Sequence, residues 1–392
     1  MARSATLSSS THGPVATQPF TLAVPQSDLD DLKRRLEHPR WPDELPTAGP
    51  DYGATLSFVK EMAEYWRSSF DWRKQEARIN GVPQFISTID GQTVHFFHVR
   101  SPEPRALPII LTHGWPSSSV EFLSLVGPLT DPRRHGGNPS DAFDVVIPSV
   151  PGFTFSGPTR ESGWNSARIA KAWTELMRRL GYERYGSHGG DLGALISHEL
   201  ALLQPPGLVG VHVLEIYAYP SGDPAELEGL SEFDKEGVEM LKAFQSRAGY
   251  QKIQSTRPQT LAYGLTESPI GQLAWSSELF TGFGGVFGNP QTADRDLFLT
   301  HVSLYWFTRT AGSSSRIYYE DAKAGTGYRQ VKNSTPTGVA VFPGNFRSLR
   351  RIAERTNNIV HWSQFDRGGH FAATDAPDLL IDDLRAFFRR FR

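Results

Sequence analysis

Gly189-Gly190-Asp191-Leu192-Gly193 sets an aspartate between glycines. The strand-like segment Tyr182–Gly186 precedes it and the helical segment Ala194–Leu203 follows. Glycine on either side permits a tight strand-to-helix turn that lifts one side chain above a sheet edge. A carboxylate presented there can attack an sp3 carbon to form an ester, which water then cleaves at the acyl carbon. A serine in its place would form an ether with no such exit. The aspartate therefore points to alkyl-carbon electrophiles, epoxides or haloalkanes. The bland reading of the same pentapeptide is a Gly-rich turn whose Asp caps the next helix.

Two further segments bear on that choice. Gly368-Gly369-His370-Phe371 follows the last strand-like stretch, so His370 is placed to activate the water that cleaves an ester. A histidine bonded within a loop is the alternative, and the nucleophile-then-base order along the chain weighs against it. His113-Gly114-Trp115-Pro116 follows the strand-like Leu107–Leu111. Its glycine permits close backbone approach, so the Trp115 and Leu192 amides could bind the oxyanion of ester hydrolysis. His113 and His188 are expected to be buried structural imidazoles, and Trp115 could serve through its backbone whatever its side chain packs against.

These residues need a scaffold. From Leu107 onward, short apolar strands (Leu107–Leu111, Phe143–Ile147, Leu208–Ile216, Gly338–Phe342, Asn358–Phe365) alternate with loops and helical segments. That alternation predicts a mostly parallel sheet covered on both faces. Between 217 and 335 the strand signal disappears and helical segments broken by Pro and Gly replace it, which predicts a lid. Upstream, Leu29–Leu36 and Thr55–Phe70 have helical spacing, and Phe85–Val99 alternates around Asp90-Gly91 as a hairpin does. Residues 1–19 are expected to be a flexible leader, without the apolar core of a signal peptide.

Composition narrows the class. The 392 residues carry 40 Lys+Arg against 42 Asp+Glu, a net charge of −2 that favours neither nucleic acid nor an anionic membrane. The absence of cysteine excludes disulfides and thiolate metal sites and suits a reducing, cytoplasmic setting. No apolar run reaches the ~18–20 residues of a spanning helix. No metal cluster or phosphate loop suggests a cofactor.

From about Phe20 to the C-terminus, the chain resembles the epoxide hydrolases of the microsomal type, built on the α/β-hydrolase fold. The resemblance rests on HGWP (113–116), PGF (151–153), GGDLG (189–193), STRP (255–258), LYW (304–306), YYE (318–320) and GGHF (368–371) together. It implies an N-terminal meander of helices (20–106) wrapping a core (107–216 and 336–392), with the lid at 217–335. Some relatives carry an N-terminal membrane anchor, and none is expected here; a homodimer would also fit. The implied activity is cofactor-free addition of water to an epoxide, giving a vicinal diol. The resemblance further implies two lid tyrosines that donate to the epoxide oxygen, Tyr250 and Tyr318, with Tyr319 the neighbour to be told apart. Haloalkane dehalogenase chemistry is the nearest alternative, but it typically places a tryptophan after the nucleophile, where this chain has Leu192. A catalytically impaired ligand-binding relative is the other.

One position departs from the family. The acid that supports the histidine usually lies just after the penultimate strand, where this chain reads Phe342-Pro343-Gly344-Asn345-Phe346. Asn345 cannot supply a negative charge. Glu215, among Val213, Leu214 and Ile216, is a carboxylate that needs a strong partner in an apolar strand. The expectation is that Glu215 bonds His370 directly, as the acid does in some haloalkane dehalogenases, with Asn345 alone as the other option. Trp275, Phe280, Phe283 and Phe287 are expected in the lid, as pocket or core.

Overall fold

The computed structural model describes residues 17–47, 49–281 and 294–392. Nine strands form one sheet in the order β1-β2-β3-β5-β4-β6-β7-β8-β9. They are β1 Gln18–Pro19, β2 Gln84–Ile89, β3 Gln92–Val99, β4 Leu107–Thr112, β5 Phe143–Pro148, β6 Tyr185–Gly189, β7 Leu208–Val213, β8 Pro336–Val341 and β9 Asn358–Gln364. Pairings from β5 through β9 are parallel, while β1, β2, β3 and β5 pair antiparallel. Strands that are covered on both faces, such as β4 and β5, are buried over most of their length, as a sheet between two helical layers requires.

The order β5-β4-β6 reverses the winding direction at β4. Loops leaving the C-terminal ends of β4 and β6 then diverge and leave a crevice, the usual ligand position in such sheets. Gly114 leaves β4 and Asp191 leaves β6, so this topology sets the two expected halves of the site side by side.

Residues 20–106 contribute more than a helical wrap. The hairpin β2–β3 turns at Asp90-Gly91, both with positive φ (50° and 74°), and β3 pairs with β5 inside the main sheet. The helices Gln26–Glu37 and Leu56–Ser68 do contact the lid. Leu32, Leu36, Val59, Met62 and Trp66 pack with Ile270, Leu273, Phe298, Leu299 and Val302 in one buried cluster. Trp66 Nε1 donates to Ser303 Oγ at 2.9 Å and Tyr65 Oη to Asp296 at 2.9 Å. Full burial of each large apolar side chain there contributes about 1.5–3 kcal/mol, so this clamp fixes the lid on the core.

Between β7 and β8 the described residues are helical or irregular, with helices Glu232–Arg247, Gly249–Gln254, Pro258–Glu267, Pro269–Phe280, Arg295–Thr308 and Ala311–Ala324. Among the described residues, no helix is long and apolar enough to cross a membrane. Two strand expectations need correction. β6 starts three residues later than expected, because Gly181 turns the chain at φ 83°. β7 ends at Val213, so Glu215 lies in the loop beyond the strand.

Candidate active site

Asp191 stands between β6 and the helix Leu192–Leu203 with φ 53° and ψ −124°, a conformation that costs a non-glycine residue about 1–3 kcal/mol. The surroundings enforce it. A Cβ on Gly193 would lie 1.9 Å from Thr112 O, and one on Gly114 would lie 2.4 Å from the Asp191 side chain. Only glycine lets β4 and its loop approach the turn this closely.

Both amides expected as oxyanion donors contact the Asp191 carboxyl. Trp115 N–H donates to Asp191 Oδ1 at 2.9 Å, and the Leu192 N–H also bonds this carboxyl. Burial pushes the Asp191 carboxyl up, and His370 with the two amides pulls it back toward the ionised form. Oδ1 thus occupies the position where the ester oxygen would gain charge. His113 holds this loop: Nδ1 meets Gly114 O at 2.9 Å and Nε2 accepts from Val150 N–H at 3.1 Å. Burial lowers its pKa to about 4, so it is neutral and structural, as expected. His188 Nδ1 pairs with His212 Nδ1 at 2.9 Å inside the core.

His370 Nε2 lies 3.8 Å from Asp191 Oδ2, close but beyond hydrogen-bonding distance. Burial lowers its pKa, and the Asp191 charge partly restores it. The support behind it differs from the expected one. Glu215 does not touch His370 in the described hydrogen bonds. Asn345 Oδ1 lies 2.7 Å from His370 Nδ1, and Asn345 Nδ2 donates to Glu215 Oε2 at 2.5 Å. Glu215 Oε1 accepts the Asp191 backbone N–H and, at 3.3 Å, the Tyr217 hydroxyl. The carboxylate therefore sits one residue removed from the imidazole. The physical reason is the short β7: its end places Glu215 beneath the turn that carries Asp191, while Asn345 on the loop after β8 reaches His370 first.

The two tyrosines come together with the oxyanion loop. Tyr250 stacks on Trp115 (5.0 Å, 10°), and Tyr318 meets both edge-on at 6.3 and 6.0 Å. The Tyr318 hydroxyl is buried without a hydrogen bond of normal geometry among the described residues. Burial, then the Asp191 charge, holds both phenols well above their ordinary pKa, so both keep their protons and can donate. Tyr318 is 7% exposed and Tyr319 is 37% exposed, which separates the two neighbours.

Three residues escaped the sequence reading. Tyr305, within the LYW motif, donates to Ser117 O at 2.7 Å and ties the lid to the loop that carries Trp115. Tyr217 donates to Glu215. Glu121 is buried, bonded by Ser117 Oγ at 2.5 Å, and burial raises it to about 8; a lone acid with no motif around it carries no signal of that. Trp275 Nε1 donates to Gln254 at 2.9 Å, and Phe280 stacks on Phe371 at 4.3 Å. Phe283 and Phe287 lie outside the described residues. A groove of about 1340 Å³ runs between the lid helix Glu232–Arg247 and the loops carrying Asn345 and His370, with Val238, Met240, Gly344 and Gly368 in its walls.

A strained aspartate on a strand-to-helix turn, with an amide on one of its oxygens and a histidine beside the other, marks an α/β-hydrolase fold that carries a carboxylate at its elbow. Comparison with known proteins agrees. The "Epoxide hydrolase N terminus" family matches residues 17–122 and the "alpha/beta hydrolase fold" family residues 108–261. The chain is 46% identical to a protein of Stigmatella aurantiaca provisionally named an epoxide hydrolase, over 95% of this chain and 85% of that one. It is 33% identical to Epoxide hydrolase 1 of Sus scrofa, over 94% and 88%. The solved epoxide hydrolase of Aspergillus niger superposes with a TM-score of 0.86 at 32% identity, covering 97% of both chains. The chain belongs to the epoxide hydrolase family, whose members add water to epoxides to give diols.

Proposed function

We propose that this protein opens an epoxide in two steps through a covalent ester on Asp191. In the first, Asp191 Oδ2 bonds to a ring carbon, the carbon–oxygen bond breaks, and the ring oxygen keeps the electron pair. Tyr250 and Tyr318 donate to that oxygen, and one of them supplies its proton, an effect worth roughly 10²–10⁴ in rate.

In the second step, His370 Nε2 removes a proton from water while the water oxygen bonds to the Asp191 carboxyl carbon. The Trp115 and Leu192 amides stabilise the resulting oxyanion. Its collapse breaks the ester bond, and the departing oxygen takes the proton from His370. The remaining proton of the water restores the phenol, so epoxide and water leave as the vicinal diol. Asn345, backed by Glu215, supports His370. Residues 20–106, 107–216 with 336–392, and 217–335 act respectively as wrap, core and lid, the wrap also lending β2 and β3 to the sheet.

The observation that carries this reading is the Asp191 carboxylate itself, with Oδ1 on the Trp115 amide, the Leu192 amide also on the carboxyl, and Oδ2 facing His370. Single turnover of styrene oxide in ¹⁸O-water tests it. Label is expected on the Asp191 carboxyl, with the diol oxygens unlabelled in that turnover. Label in the diol and none on Asp191 would mean that water attacks the ring directly.

A further inference from the structure

Asn345 poses a problem that a carboxylate in its place would not. A primary amide has two faces of similar size, one an acceptor and one a donor. With its oxygen toward His370, it takes the Nδ1 proton and leaves a lone pair on Nε2, the form that can act as a base. With its nitrogen toward His370, it donates to a bare Nδ1 and moves the proton to Nε2. An N–H at Nε2 cannot take a proton from water. Shape does not choose between these arrangements; only the hydrogen bonds around the amide do.

The geometry points to Glu215 as the group that chooses, a positioning residue that fixes the base tautomer of His370 through the Asn345 amide. This inference rests on the roles given above to Asp191 and His370. Glu215 Oε2 accepts from Asn345 Nδ2 at 2.5 Å, which turns the amide oxygen to His370 Nδ1 at 2.7 Å. Every described hydrogen bond to Glu215 comes from a donor: Asn345 Nδ2, the Asp191 backbone N–H and the Tyr217 hydroxyl. The side chain is enclosed, Glu215 being 1% exposed, so water does not compete for the amide. Glu215 thus also accepts the backbone N–H of the strained nucleophile, and nucleophile and base are registered against one carboxyl group, whose ionised form, dominant above about pH 8, accepts all three donors.

A swap of hydrogen-bond character tests this. In Glu215→Gln, the new side-chain oxygen can keep the Asp191 N–H, but its nitrogen then faces Asn345 Nδ2, donor against donor. Asn345 relieves the conflict by turning over, and His370 must move its proton to Nε2. Adding Asn345→Asp reverses this. The new carboxylate accepts from the introduced glutamine on one oxygen and from His370 Nδ1–H on the other, so each donor again meets an acceptor. Asn345→Asp alone sets two carboxylates in contact and is expected to fall between.

The single-turnover rate of ester hydrolysis with styrene oxide is the kinetic readout. Glu215→Gln is expected to slow it by about 10³–10⁴-fold, near the ~10⁴ known for a triad histidine held in the wrong tautomer, with the ester accumulating by mass spectrometry. The double variant is expected to recover most of the loss, which a merely structural role for Glu215 does not predict. Nitrogen NMR of labelled histidine, without substrate, is expected to show His370 protonated at Nδ1 in the wild type and at Nε2 in Glu215→Gln. Wild-type-like hydrolysis by Glu215→Gln, an unchanged tautomer, or a folded double variant no faster than the single one would each overturn the assignment. A wild type that forms no ester on Asp191 would instead overturn the proposed function, and the tautomer measurement would still decide the role of Glu215.

Discussion

Two of the histidine systems among the described residues are built in opposite ways. Inside the sheet, His212 Nε2 meets Asp383 Oδ2 at 2.8 Å and His361 Nε2 meets Oδ1 at 2.7 Å, with Ser363 Oγ also on Oδ1 at 2.5 Å. At the site, His370 meets an amide oxygen, and the carboxylate stands behind the amide. The acids respond accordingly. Burial raises the Asp383 carboxyl, but the hydrogen bonds from His212 and His361 outweigh it and hold the group well below the ordinary carboxylate range. Burial and the neighbouring Asp191 charge push Glu215 up to about 8, because its donors are neutral groups. Direct contact makes a structural tie that keeps its charge. At the site, burial holds His370 below its ordinary value, and contact through an amide sets its orientation without a direct carboxylate partner.

Several measurements would sharpen or break that contrast. The largest effect is expected at the phenols, which stand apart from both systems. Tyr250→Phe with Tyr318→Phe should slow ester formation by at least about 10⁴-fold, and each single change by roughly 10²-fold. Rapid-quench detection of the ester checks this, and an unaffected double variant would remove the tyrosines from the mechanism. Asp383→Asn should cost about 3 kcal/mol in urea unfolding at pH 7, while ester hydrolysis stays near the wild-type rate. A matching loss of hydrolysis would mean that the two histidine systems are coupled.

The pH dependences should also differ. A histidine with a lowered pKa is neutral at pH 7, so the acid limb of ester hydrolysis should lie below about 6.5, the ordinary value. An acid limb above that value would contradict the burial of His370. In stability, Asp383 has a folded-state value below its unfolded one. Its contribution is therefore full above about 4 and is lost as the pH falls through the folded value. Glu215 is raised, so its contribution is full below its ordinary value and is lost as pH rises through about 8. Glu121, raised to about 8 by burial, adds to the same alkaline slope. Unfolding free energy measured from pH 3 to 9 should show Asp383→Asn flattening the acid limb and Glu215→Gln flattening the alkaline one. This is the smallest effect of the set, and identical slopes in the two variants would contradict the contrast.

Legibility in the sequence followed the range of the interactions. The turn at Asp191 was visible because its causes are local: glycines at 189 and 193 admit close backbone approach, and the strand and helix beside them are contiguous. The Trp115 amide and His370 were visible for the same reason, each in a short loop after a strand. The relay behind His370 was not. The sequence marked both Glu215 and Asn345 as unusual, yet their order depends on where β7 ends, and the apolar run Val213–Ile216 gave no sign that the strand stops at Val213. Tyr305 acts through a single hydroxyl across the lid interface and Tyr217 through one to a carboxyl two residues away, neither of which periodicity encodes. The hairpin β2–β3 was legible as a hairpin, but its place in the main sheet depends on a long-range pairing of β3 with β5.

The central claim is that Asp191 becomes alkylated and that His370 is needed only afterwards. His370→Ala treated with styrene oxide, digested and mapped by mass spectrometry, tests this most directly. The account predicts a stable adduct on the peptide that carries Asp191, absent from Asp191→Asn. An unmodified Asp191 in that variant, while the wild type still forms diol, would contradict it.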